Sequence, residues 1–273
     1  MRSDTQAKTA SRSTSALTAW IYAALSSKYT NGQSRRSGSV LCVSSRICIK
    51  STVTTRSAEA SAMEFVRSNT SIPVPKVYLT ARYKGRHDWG RRTEKSKERL
   101  LVQLKEMVAQ LRDLKAQYGT GVCNVDGGPI YDCRLPHDDD WGPFSSVAEF
   151  HRALVDHQDL NGITDDHVDG LQELAYFYDQ SGQETVFTHG DLSSLNILCE
   201  DDDIVGIVDW ETAGWLPTYW EYVSAWNVNP QNEFWQQEVD KFLPPLPHAR
   251  NMDAIRRKYF GLLGYTGSRE GLP

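Results

Sequence analysis

Asp191, Asn196 and Asp209 are the residues of this chain whose types and spacing suit chemistry. They stand in VFTHGDLSSLNILCEDDDIVGIVDWETAGWLPTYWEY, which runs from Val186 to Tyr222. A carboxylate can orient an attacking hydroxyl and accept its proton, the role that suits Asp191. An amide oxygen and a second carboxylate are hard donors of the kind magnesium takes while keeping several waters, which suits Asn196 and Asp209. Moving a phosphoryl group asks a protein chiefly for position and for neutralisation of phosphate charge. The trio therefore implies phosphoryl transfer, with Asp191 as base and magnesium held on a nucleotide.

For these side chains to meet, the flanking elements must bring them to one place. Val186 and Phe187 are apolar and lead into His189-Gly190-Asp191, and Gly190 permits a tight turn that projects Asp191 from a rigid loop. Ile197-Leu198 and Ile204 to Val208 read as two strands joined by a polar turn at Glu200 to Asp203. A hairpin returns the chain to its starting end, so Asp209, just past the second strand, is predicted beside Asn196, just before the first. The plainer explanation is a hairpin whose polar ends merely terminate strands. His, Gly, Asp and Asn at these fixed spacings, followed by Asp-Trp-Glu, are too rare a combination for that explanation to win. His189 is expected to brace the turn by hydrogen bonds rather than to react.

Upstream, VLCVSSRICIK (Val40 to Lys50) gives two short β-branched runs around Ser44-Ser45-Arg46, a hairpin signal. A helix follows, with Ser57 as N-cap and Ala58, Ala62, Phe65 and Val66 on its apolar side. Glu59 lies in its first turn, where the helix dipole favours a carboxylate. Pro73 and Pro75 stop the helix, and an extended segment is predicted from Lys76. Leu100, Leu104, Met107, Val108, Leu111 and Leu114 mark one face of a helix over Lys97 to Lys115.

Residues 119–146 are rich in Gly, Pro and Asp and read as a long loop. Within it, His137 with Asp138 to Asp140 reads as a solvated turn rather than a metal cluster. Ser145 or Ser146 is expected to cap a helix through Phe150 and Leu154, with Glu149 placed for a capping box from Ser146. Another helical pattern covers about 165–180. Trp210, Trp215, Trp220, Trp226 and Trp235 crowd together and suit core packing. FLPPLPH (242–248) suits a linker between terminal helices.

The 273 residues can build one large domain or two modest lobes. No apolar run reaches the roughly 20 residues of a membrane helix. Five cysteines without regular spacing argue against a disulfide framework and suit a reducing compartment. The net charge of −5 hides an asymmetry: 14 Lys/Arg face 4 Asp/Glu in residues 1–90, and 16 face 31 in residues 91–273. The acidic remainder disfavours a nucleic-acid footprint and suits a cationic substrate. Residues 1–39, Ser- and Arg-rich with a single acid, are expected to be poorly ordered, with one short helix at Leu17 to Leu25. A cytoplasmic location is expected, with a mitochondrial transit peptide as the alternative reading of that segment.

HGDLSSLNIL with GIVDWETAGWLPTYWEY resembles the aminoglycoside phosphotransferase family, and more narrowly its fungal-type members. RICIK…SAEASAMEFVRSNTSIPVPKVY is similar to that family's N-terminal lobe, and DGGPIYDCRLP and GPFSSVAEFH also look like the fungal group. The resemblance implies an α+β, protein-kinase-like two-lobed fold with a small partial β-sheet N-lobe and a mainly helical C-lobe. It implies Asp191 as catalytic base, Asn196 and Asp209 as magnesium ligands, and Lys50 on the ATP phosphates with Glu59 paired to it. Residues 40–92 would form a truncated nucleotide-binding N-lobe and 93–273 the catalytic C-lobe.

ATP and Mg2+ are the implied cofactors. A small-molecule hydroxyl, on a cationic acceptor, would receive the γ-phosphoryl group. Neither nucleic acid nor membrane is an expected partner, and the chain is expected to be a monomer. Between Tyr78 and the helix near Glu94, however, the family's further strand pair and adenine-gripping hinge have no counterpart, and a short basic segment stands there. That gap keeps an alternative in view: a catalytically impaired kinase-like pseudoenzyme acting as a binding module.

Overall fold

The computed structural model describes residues 36–37, 40–42, 48–50, 57–75, 89–116, 121–132, 134–135, 140–163, 169–227 and 234–261, by backbone alone up to residue 57. The helix expected at Leu17 to Leu25, the extended segment from Lys76, the hinge-less stretch up to 88 and the turn at 137–139 lie outside the described residues. The chain divides into two compact units, Met1–Thr55 with Tyr78–Tyr83, and Arg56–Val77 with Lys84–Pro273.

In the smaller unit, β1 (Arg36–Ser37), β2 (Val40–Cys42) and β3 (Cys48–Lys50) form an antiparallel sheet in that order. Val40 stands opposite Lys50 and Cys42 opposite Cys48, the hairpin expected from the two β-branched runs. Arg36 and Ser37 pair with Leu41 and Val40, which makes β1 an edge strand, and the rest of residues 1–39 lies outside the described residues.

The larger unit begins with α1 (Ser57–Asn69), which buries Ala62, Met63 and Val66 and therefore packs into the main core. The helix α2 (Glu94–Asp113) starts at an N-cap, Thr93, whose side chain accepts from Ser96 N. It buries Leu100, Leu104, Val108 and Leu111 of the expected stripe, and Leu101 beside them, while Met107 and Leu114 are partly buried against the same core. Next come β4 (Cys123–Asn124), α3 (Val147–Leu154) and α4 (Leu171–Gln180). The last of these starts later than the sequence pattern suggests. Gly170, at φ 86°, takes the left-handed conformation at the N-cap position, which sets the beginning of the helix at Leu171.

Then β5 (Thr185–Thr188), the hairpin strands β6 (Ile197–Glu200) and β7 (Asp203–Ile207), and β8 (Gly214–Pro217) follow. β8 lies between β4 and β5, antiparallel to both, while β6 and β7 pair with each other. The helices α5 (Trp220–Trp226), α6 (Gln236–Phe242) and α7 (Pro247–Phe260) complete the unit. Pro247 opens α7 at its first turn, where a missing N–H costs nothing, so the prolines do separate two terminal helices.

Four of the five clustered tryptophans, Trp210, Trp215, Trp220 and Trp235, are buried in the main core. Phe65 of α1, Phe187 of β5 and Trp215 of β8 meet ring to ring there, which joins α1 to the strand that carries the His-Gly-Asp turn. Among the described residues no helix is long and apolar enough to cross a membrane.

Candidate active site

The β6–β7 hairpin is fixed at its far end by α2. Arg99 pairs with Asp202 at 2.6 Å, Gln103 Nε2 donates to Asp202 O at 2.7 Å, and Gln103 Oε1 accepts from Ile204 N at 2.9 Å. At its near end the ladder runs one step beyond the strands, with Val208 N donating to Asn196 O at 2.9 Å. The hairpin thus places Asp209 next to the Asn196–Val208 pair, as the spacing predicts. Asp209 itself sits in the left-handed region at φ 68°, ψ 58°, a conformation Asp tolerates better than most residues. It leads directly into the 3-10 turn Trp210–Thr212.

Asn196 then reaches back to the preceding loop. Its Nδ2 donates to Asp191 O at 2.8 Å and to Asp191 Oδ2 at 2.7 Å. The amide nitrogen is committed to Asp191, which turns the amide oxygen to the other side of the group. One amide oxygen and one carboxylate at adjoining positions fit a hard cation such as Mg2+, which needs few protein ligands.

The turn carrying Asp191 is held from several sides. Gly190 adopts φ 82°, and a Cβ there would lie 2.9 Å from both Thr212 O and Thr212 Oγ1, so the position requires glycine. Thr212 Oγ1 in turn donates to His189 O at 2.8 Å. Glu221 of α5, only 2% exposed, accepts from His189 N at 2.7 Å and from Gly190 N at 3.1 Å. Trp235 Nε1 donates to Leu192 O at 2.9 Å.

His189 Nδ1 accepts from Asp191 N at 3.1 Å and its Nε2 faces Val208 O at 3.1 Å, which sets the neutral tautomer with the proton on Nε2. Burial lowers its pKa to about 4, in keeping with a neutral brace between the turn and the hairpin end. Burial also raises the pKa of Asp191, against the opposing pull of the Arg134 guanidinium and the Asn196 hydrogen bond.

Residues 29–255 match the family described as "Phosphotransferase enzyme family". The chain belongs to this family. The phosphotransferase has the protein-kinase-like fold of three solved aminoglycoside phosphotransferases. A thermostable mutant of aminoglycoside phosphotransferase APH(4)-Ia, solved as a ternary complex with ADP and hygromycin B, is 16% identical, with a TM-score of 0.54 and 82% of each chain covered. The ADP-bound aminoglycoside phosphotransferase APH(2'')-Ib is 12% identical, with a TM-score of 0.51, covering 92% of this chain and 93% of that one. The GDP complex of aminoglycoside 2'-phosphotransferase-IIIa is 14% identical, with a TM-score of 0.52 and 88% of each covered. A search of curated proteins gave no match.

Within the phosphotransferase, Asp191 and Asn196 are in contact and Asp209 adjoins them through Val208. Lys50 closes β3, its backbone opposite Val40 in the smaller unit. Glu59 lies in the first turn of α1 in the larger unit and is 5% exposed.

Three residues that the sequence reading did not single out hold the site: Glu221, Arg134 and Asp132. Glu221 had a visible signal, a carboxylate set among aromatic and apolar residues in TYWEYVSAW. Asp132 and Arg134 sit two apart inside a polar loop, where nothing local distinguishes them from solvated charges.

Proposed function

We propose that this phosphotransferase moves the γ-phosphoryl group of ATP, with Mg2+, to a hydroxyl of a small molecule. The observation that carries the reading is the junction of Asp191, Asn196 and Asp209 at one hairpin end. Asp191 Oδ2 is occupied by Asn196, which directs Oδ1 to the acceptor hydroxyl as the oxygen that takes its proton. Asn196 Oδ1 and the Asp209 carboxylate would hold Mg2+, which when bound neutralises the charge that builds on the phosphates. Lys50 would hold the ATP phosphates and Glu59 would orient it. In this reading residues 40–92 serve the nucleotide and 93–273 the acceptor and the chemistry.

The acidic excess after residue 90 supports a cationic acceptor. Hygromycin B, bound by APH(4)-Ia, is one hydroxyl-bearing compound to try first.

Two measurements test the reading. MgATP should raise the melting temperature of the parent, and Asp209→Ala should abolish the magnesium-dependent part of that rise. At saturating MgATP, Asp191→Asn should lower the rate of phosphoryl transfer by about 10²–10⁴-fold, the usual contribution of general base catalysis. A parent that MgATP does not stabilise, or turnover unchanged in Asp191→Asn, would sink the proposal.

A further inference from the structure

We propose that Arg134 is a positioning residue that clamps Asp191 in its working orientation, an inference that rests on the phosphotransferase reading above. The stretch DCRLP, Asp132 to Pro136, has no part in the base and metal roles given to the hairpin end. Its arginine nevertheless reaches the His-Gly-Asp turn. Arg134 is 13% exposed and Asp132 3% exposed at the side chain, so their charges meet largely out of water.

The guanidinium has five N–H donors in a rigid plane, and their directions tell what it does. Nε donates to Asp132 Oδ1 at 2.7 Å and Nη2 to Asp132 Oδ2 at 3.0 Å, a two-pronged pair that fixes the plane. From that plane Nη2 also donates to Gly190 O, and Nη1 donates to Ser224 O of α5 at 3.1 Å. Nη1 stands 3.6 Å from Asp191 Oδ1, too far for a hydrogen bond but close enough for attraction between charges.

Asp132 is itself anchored, accepting from Arg134 N at 2.9 Å and from Trp220 Nε1 at 3.4 Å. Arg134 O accepts from Arg256 Nη1 at 3.2 Å, and Arg256 is locked to Asp253 at 2.7 Å. A chain of buried groups from α5 and α7 thus ends in one guanidinium that touches the backbone one residue before Asp191.

The two oxygens of Asp191 are therefore treated differently. Oδ2 is bonded to Asn196, and Oδ1 is drawn toward a fixed cation without being bonded to it. That leaves Oδ1 oriented and open to a hydroxyl proton. A displacement of about 1 Å at a reacting group can cost on the order of 100-fold in rate, so a clamp on the turn acts on turnover rather than on nucleotide binding. A salt bridge kept only for stability is a weaker account, because buried ion pairs can be replaced by apolar groups at little cost.

The test is a double-mutant cycle on the full chain, read as steady-state hydrolysis of MgATP with water as acceptor. Arg134→Ala should lower kcat by roughly 100-fold while leaving KM for MgATP within about twofold. In an Asp191→Asn background the same substitution should cost almost nothing further, because both act through one carboxylate. A residue that merely holds the fold together would cost the same factor in both backgrounds, and that result overturns the clamp.

If Arg134→Ala does not fold, Arg134→Lys keeps the charge but loses the planar fork. It should lose about tenfold or more in kcat, and a Lys variant within about twofold of the parent overturns the proposal equally. A parent that neither hydrolyses MgATP nor is stabilised by it refutes the phosphotransferase reading itself. A parent that turns over while both Arg134 variants match it refutes the clamp alone.

Discussion

Gly190 and Glu221 together explain how a short turn can hold a base. The turn presents two amide N–H groups, of His189 and Gly190, toward the interior, and Glu221 meets both with one carboxylate. Burial raises the pKa of Glu221, and the two amide bonds with the charge of Arg112 work against that rise. The left-handed φ of Gly190 is what lets both amides face the same acceptor. Gly190→Ala therefore meets two costs at once. A Cβ at positive φ is disfavoured by about 1–2 kcal/mol, and here it also presses on Thr212 O and Oγ1, the latter donating to His189 O. The variant should lose on the order of 2–4 kcal/mol of stability, read as a lower urea midpoint at unchanged m value. MgATP turnover should fall further than the folded fraction does, because the residue displaced is Asp191. A variant with parental midpoint and turnover would show that the turn is not held as described.

At the scale of elements, the start of α3 shows a local rule applied with one change. Ser146 Oγ accepts from Glu149 N at 3.1 Å, as a capping box requires. Glu149, instead of bonding the Ser146 amide, accepts from Ser145 N and Ser145 Oγ, both at 2.7 Å. The box is thereby widened by one residue. Ser146→Ala should cost about 1 kcal/mol in urea unfolding, the usual worth of an N-cap hydroxyl, with MgATP turnover per folded molecule unchanged. No loss would mean that Ser145 and Glu149 hold the cap unaided.

The same contrast runs through the whole chain. The α2 stripe, the β2–β3 and β6–β7 hairpins and the junction of Asn196 with Asp209 were legible because each follows from a period or a spacing within about 20 residues. The pairing of two-residue β4 with β8 was not, since Cys123 meets Trp215 through contacts that no local pattern records. Arg134 was hidden for the same reason, as its partner Gly190 lies 56 positions away. Glu221 could have been read, because a lone acid among core aromatics implies a buried acceptor with donors waiting for it.

For the molecule as a whole, the assembly of α3, α4, α5 and α7 around His151 makes stability depend on pH. His151 is 3% exposed, its Nε2 lies 2.9 Å from Tyr219 Oη, and its ring stacks on Tyr178 at 4.1 Å. Arg256 and Asp253 of α7 bear on the same two tyrosines. Burial lowers the His151 pKa from 6.5 to about 4. Between those values the unfolded chain holds a proton that the folded chain does not, so acidification favours unfolding. The slope is about 1.4 kcal/mol per pH unit for one such group, present below pH 6.5 and exhausted near pH 4.

Two carboxyls, one buried and one half-buried, act in the opposite sense. Asp191 and Glu221 have raised pKa values, so the folded chain takes up their protons first as pH falls, which offsets part of the loss. The parent curve alone therefore mixes the contributions, and His189, also lowered to about 4, adds a second histidine to it. A comparison with His151→Gln removes the shared terms and keeps a polar end for the Tyr219 hydroxyl. At pH 7.5 the parent should be the more stable of the two, because its ring stacks on Tyr178. As pH falls toward 4.5 its melting temperature should drop faster than the variant's, so that the gap closes. A gap that stays constant across that window would show that His151 is not held neutral by the fold.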